Sequence, residues 1–107
     1  MDVPSIDVDE LVTLRSQGAA LIDVRQPDEY EEFHVPGAVL IPLAEVGEPI
    51  EEIPSDQTVY VICGSGPRSA KAVEFLLHQD IDAVNVRGGS MAWREGGHPL
   101  ATGPEAG

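Results

Sequence analysis

Residues 59 to 69 constrain this chain more than any other stretch. An apolar run, Val59-Tyr60-Val61-Ile62, stops at Cys63 and gives way to Gly64-Ser65-Gly66-Pro67-Arg68-Ser69; Ala70, Val73, Leu76 and Leu77 then follow at helical spacing. A short apolar run bounded by glycine and proline reads as a buried strand, and apolar residues three and four apart read as one face of a helix. Residues 58 to 79 are therefore strand, tight loop and helix in succession. A strand that is apolar on both faces needs cover above and below, which is the situation of strands in parallel sheets flanked by helices.

The rest of the chain repeats the alternation. Asp7 and Glu10 form a D-x-x-E capping box for a helix carrying Val8, Leu11, Val12 and Arg15 and ending near Gly18, with a strand expected before it over residues 3 to 6. Residues 19 to 24 (AALIDV) are a second doubly buried strand, and Pro27 suits the first turn of a short helix reaching about Phe33. His34-Val35-Pro36-Gly37 is a turn signal before a strand over 38 to 41, and residues 42 to 57 read as an irregular connection with one helical turn. Residues 82 to 86 are a last strand, Arg87-Gly88-Gly89 a turn, and 90 to 95 a final helix closed by Gly96-Gly97. Strands alternating with helices predict an α/β sandwich with parallel strands, in which ligands bind at the carboxyl ends of the strands. The expected organisation is one domain over 1 to 107, with an ordered core of about 5 to 100 and a flexible tail over 101 to 107.

Charge narrows the partners. Nineteen acidic residues against six basic give a net charge of −13, which argues against nucleic acid and anionic membrane as partners. No apolar run has the length of a signal peptide or a membrane span, and a lone cysteine fits a reducing compartment, so the expected location is cytoplasmic. An anionic small substrate would be repelled at long range, so groups in the Cys63 loop must overcome the global field.

Cys63 is the only cysteine. Backbone N–H groups of a glycine-rich loop can point inward, and the following helix adds the positive end of its dipole, so such a loop holds an anion. The first candidate is the thiolate of Cys63 itself, favoured further by the guanidinium of Arg68. No histidine lies close in sequence to act as its base, and a pre-ionised thiolate needs none. Gly64 and Gly66 supply the backbone curvature, and Ser69 caps or opens the helix with its hydroxyl near the sulfur.

These segments resemble the single-domain rhodaneses, the thiosulfate sulfurtransferase family, over about residues 5 to 100. Leu21-Ile22-Asp23-Val24-Arg25 with Glu29-Tyr30 and His34-Val35-Pro36-Gly37-Ala38 is similar to the family's first signature; Cys63 to Ser69 is similar to its active loop; Arg87-Gly88-Gly89 with Trp93 is similar to its closing signature. The resemblance implies a rhodanese-like three-layer sandwich with a mostly parallel five-stranded sheet. It also implies a double displacement, in which Cys63 takes the outer sulfur of a donor such as thiosulfate as a persulfide and passes it to cyanide, a thiol or a protein acceptor. Residues Gly64, Ser65, Gly66, Pro67, Arg68 and Ser69 would bind the substrate, with neither metal nor cofactor. A sulfur-relay or regulatory module acting on a protein partner is the alternative. Phosphatases and arsenate reductases with a cysteine-arginine loop are disfavoured, because they place five residues between Cys and Arg and this chain has four, Gly64 to Pro67.

The sequence departs from the family at Gly64, where arginine is frequent, and at Phe33, where glycine is usual. Asp23 and Arg25 are expected to be a structural pair fixing a strand end. Trp93 is expected to anchor the core, and the resemblance places it near the active-site rim. His34 reads as a turn residue bonded to backbone, since His78 and His98 show no ligand spacing with it.

Overall fold

The computed structural model describes residues 3–107. Its strands are β1 (Ser5–Ile6), β2 (Ala20–Asp23), β3 (Val39–Leu40), β4 (Val59–Ile62) and β5 (Ala83–Val86); its helices are α1 (Val8–Ser16), α2 (Pro27–Glu32), α3 (Pro67–His78) and α4 (Gly89–Glu95). The strands form one sheet in the order β1-β5-β4-β2-β3, and every neighbouring pair is parallel. β4 lies at the centre, so Cys63 stands at the carboxyl end of the most enclosed strand. Among the described residues no helix is long and apolar enough to cross a membrane.

Side-chain alternation along the strands divides the core into two layers. Val59, Val61 and Cys63 join Ile22 and Val24 against Ala72, Val73 and Leu76 of α3. On the other face Ile62 and Leu21 pack with Leu11 of α1, Tyr30 of α2 and Trp93 of α4. Val73 and Leu76 are fully buried, each contributing roughly 2 kcal/mol by leaving water, and this burial holds α3 against the sheet.

Local chemistry sets the ends of the elements. Asp7 caps α1 reciprocally, accepting from the Glu10 N–H at 2.9 Å while its own N–H donates to the Glu10 carboxylate. α3 starts at Pro67, two residues earlier than the spacing predicts, because proline's fixed φ suits the first helical position and its missing N–H is not needed there. β3 pairs over two residues rather than four, between the turn at Gly37 and Pro42. Residues 42 to 57 hold two short 3-10 turns, Leu43–Glu45 and Ile50–Glu52, and drop Val46 and Ile53 into the α3 layer.

Residues 101 to 106 lie along the turn at 34 to 37. Ala101 bridges His34 through both backbone groups, at 2.9 and 2.8 Å, and the Gly37 N–H donates to the Ala106 carbonyl at 2.6 Å. The turn at 34 to 37 presents unpaired backbone groups, and residues 101 to 106 satisfy them.

Candidate active site

Three elements meet at Cys63. β4 carries the residue to the carboxyl end of the sheet; the Gly64–Gly66 turn reverses the chain, with Gly66 at φ +130°, a conformation that favours glycine; α3 then starts with its N-terminus against the sulfur. Cys63 is buried, and its sulfur accepts the Gly66 N–H at 2.9 Å. Ser69, in the first turn of α3 and fully buried, places Oγ 3.3 Å from the same sulfur and 2.9 Å from the Gly66 carbonyl oxygen. Instead of the expected row of inward N–H groups, one backbone N–H and one hydroxyl reach the sulfur among the described residues. Ser65 and Pro67 are exposed and contribute shape rather than contacts to it.

The Arg87-Gly88-Gly89 segment does more than turn. The Ser90 N–H donates to the Cys63 carbonyl at 2.8 Å and the Met91 N–H to the Gly64 carbonyl at 3.1 Å, so the start of α4 grips the loop backbone from behind. That grip requires Gly89, which sits at φ +59°; a Cβ there would lie 2.4 Å from the Cys63 oxygen. Asn85, one turn of chain earlier on β5, brings its carboxamide within hydrogen-bond distance of Ser69 Oγ.

Arg68 departs from the role expected of it. Its two terminal nitrogens donate to the Glu29 carboxylate at 2.7 and 2.9 Å, tying α3 to α2. That pairing holds the Glu29 carboxyl down at about 2, helped by the Gln26 N–H and opposed by partial burial, and it raises Arg68 above its ordinary value. The cation at the loop's end is therefore shared with a carboxylate before any anion arrives. Asp23 and Arg25 form a buried pair at the end of β2, with Arg25 Nε and Nη2 on the carboxylate and Nη2 also on the Phe33 carbonyl at 2.7 Å.

A pocket opens over the loop, lined by Arg25, Glu29, Glu32, Phe33, Gly64 and Arg94 among others. The Arg94 guanidinium lies over the Phe33 ring at 4.5 Å and that of Arg25 at 5.2 Å from the ring centroid, so the unusual Phe33 serves as a platform for two cations. Trp93 is not brought to this mouth. It packs with Leu11 and Tyr30, and its indole N–H donates to the Pro99 carbonyl at 2.7 Å, which corrects the placement near the rim. His34 is buried with Nδ1 2.7 Å from the Tyr30 carbonyl oxygen and Nε2 3.2 Å from that of Ala106.

Reading the sequence alone places Glu29 in a signature without its partner, and misses Asn85, Gly89 as a close contact, and Arg94. Asn85 had a signal: an amide inside a run expected to be a buried strand needs a partner. The partners of Glu29 and Arg94 had none, because their pairing with residues far along the chain is set by tertiary packing.

A parallel α/β sandwich whose central strand ends in a cysteine, with a glycine turn and a helix N-terminus directed at its sulfur, defines a cysteine-loop α/β domain. A family model for the rhodanese-like domain matches residues 7–96, and the chain belongs to that family. It is 43% identical over 77 residues to the probable adenylyltransferase/sulfurtransferase MoeZ of Mycobacterium tuberculosis, a match covering 69% of this chain and 20% of that protein. The chain thus spans about a fifth of that relative's length. It is 34% identical over 90 residues to the thiosulfate sulfurtransferase GlpE of Pseudomonas syringae pv. syringae, covering 83% of this chain and 85% of that protein. The solved structure of a rhodanese-like domain protein from Staphylococcus aureus superposes with a TM-score of 0.84 at 37% identity, covering 94% of this chain and 98% of that one.

Proposed function

We propose that this single rhodanese-like domain is a sulfurtransferase acting through a persulfide on Cys63, with thiosulfate as donor and cyanide or a thiol as acceptor. The thiolate of Cys63 attacks the outer sulfur of thiosulfate, the bond from that sulfur to the sulfonate sulfur breaks, and sulfite leaves with the bonding pair. The acceptor then attacks the terminal sulfur, taking it as thiocyanate or a new persulfide, and the Cys63 thiolate is restored. No proton moves in either displacement when the acceptor is an anion.

The observation that carries the reading is the Cys63 sulfur, buried and accepting the Gly66 N–H at 2.9 Å beneath the N-terminus of α3. N–H groups in the first turn of a helix lack intrahelical acceptors, and they suit the negative terminal sulfur of a persulfide. Support for an anionic donor comes from Arg94, the exposed cation lining the pocket; Arg25 is buried and paired with Asp23, and Glu29 and Glu32 line the same pocket. A protein-borne acceptor is the second reading, favoured because some relatives hold this domain inside a longer chain.

Mass spectrometry after incubation with thiosulfate should find one added sulfur on Cys63. Cys63→Ser should show none and lose thiosulfate:cyanide transfer at least a thousandfold while keeping its fold. Substantial transfer by folded Cys63→Ser would refute the mechanism.

A further inference from the structure

Asn85 lies in β5 between Val84 and Val86, and its side chain is 6% exposed. Asparagine is depleted in strands, and a carboxamide withdrawn from water costs free energy unless it is hydrogen-bonded. Asn85 is bonded to Ser69 Oγ on one side and stands 3.5 Å from Ser5 Oγ of β1 on the other. A line of polar side chains therefore crosses an apolar core in the order Ser5, Asn85, Ser69, Cys63.

The Ser69 hydroxyl has one proton and three neighbours able to take it: the Cys63 sulfur at 3.3 Å, the Gly66 carbonyl at 2.9 Å, and Asn85 Oδ1. With Oδ1 toward Ser69, the carboxamide competes with the sulfur for that proton. A half-turn about χ2 exchanges Oδ1 and Nδ2 without changing the shape of the side chain. An N–H then donates to Ser69 Oγ, the Ser69 proton is left to the sulfur and the Gly66 carbonyl, and Oδ1 faces Ser5 Oγ, whose proton turns to it from the Val3 carbonyl at 3.1 Å. An ionised sulfur selects this second arrangement, because a hydrogen bond to a charged acceptor is roughly twice as strong as a neutral one.

We infer that Asn85 is a positioning residue for the sulfur chemistry: its side-chain N–H donates to Ser69 Oγ, and Ser69 donates its only proton to the Cys63 thiolate. This rests on Cys63 being the reactive group proposed above, but the experiments that test it use no sulfur donor. The rate of iodoacetamide alkylation is followed against pH for the parent protein, Asn85→Leu, Ser69→Ala and the double variant. In Asn85→Leu nothing donates to Ser69 Oγ and its proton is left to the Gly66 carbonyl at 2.9 Å, so the variant should raise the midpoint and slow alkylation several-fold at a fixed pH below it, and should do so only where Ser69 is present. An unchanged midpoint in folded Asn85→Leu, or an equal shift in the Ser69→Ala background, overturns the assignment.

The unsubstituted protein provides a second readout should the leucine variant not fold. The Asn85 side-chain amide signals in a heteronuclear NMR titration should move with the alkylation midpoint, and Cys63→Ala should abolish that movement. Amide signals that stay constant through the midpoint overturn the assignment equally. A protein that shows both effects yet accepts no sulfur from thiosulfate would uphold Asn85 and refute the proposed donor.

Discussion

A methyl group added at Gly89 would lie 2.4 Å from the Cys63 carbonyl oxygen, whereas one at Gly64 meets only the far end of Arg68, at 3.2 Å. The first contact is with backbone and the second with a flexible side chain, and Gly89 also sits in the left-handed region while Gly64 does not. Gly64→Ala should therefore stay within about 0.5 kcal/mol of the parent. Gly89→Ala should cost about 2 kcal/mol or more, and it should slow alkylation of Cys63, because the same backbone carries the grip on the loop. Thermal melting together with alkylation rates checks both, and equal melting temperatures for the two variants would contradict the close approach. Cys63 was legible in the sequence because its flanks announce strand, turn and helix locally. The glycine pair was legible only as a turn, since nothing in a linear pattern shows that Gly89 abuts a loop twenty-five residues earlier.

The element that ties α2 to α3 is the pair of Glu29 and Arg68. Glu29 also closes the start of α2, accepting the Gln26 N–H at 2.9 Å. Its folded carboxyl, held at about 2 against an ordinary 4.5, favours the folded state wherever it is ionised. That contribution is complete above about pH 4.5 and is lost as the pH falls toward 2. Both side chains are more than a third exposed, so solvent screening leaves about 1 kcal/mol or less. Glu29→Gln keeps an oxygen for the cap and removes the charge. The parent's melting temperature should fall more steeply than the variant's between pH 5 and pH 2, and parallel curves would show that the pair contributes nothing. Helix starts were legible where a cap is local, as at Asp7. Strand lengths were not: β3 takes its two paired residues from its neighbour β2, a partner that periodicity cannot see.

Across the whole molecule, a net charge of −13 surrounds a pocket mouth where Arg25 and Arg94 stand beside Glu29 and Glu32. The Debye length is about 8 Å at physiological salt and roughly 30 Å at 0.01 M, so the distant acidic coat is felt only in dilute buffer while the charges at the mouth act at every salt concentration. For thiosulfate, kcat/KM should rise as salt increases from about 0.01 to 0.15 M, as repulsion from the coat is screened. A fall over that range, in steady-state assays at constant pH, would mean that the local arginines dominate the field. Alternating runs made the parallel sheet legible, but not the order β1-β5-β4-β2-β3, which depends on pairings such as Val61 with Asn85 and Ile22 with Val61. Those pairings also decide when the surroundings of Cys63 are complete. Loop closures of this span form slowly, and in a chain made from its N-terminus Cys63 leaves the ribosome before residues 83 to 95. Until β5 and α4 dock, nothing grips the loop or brings Asn85 to Ser69, so a half-made chain holds Cys63 without the cradle on which the proposed sulfur chemistry rests.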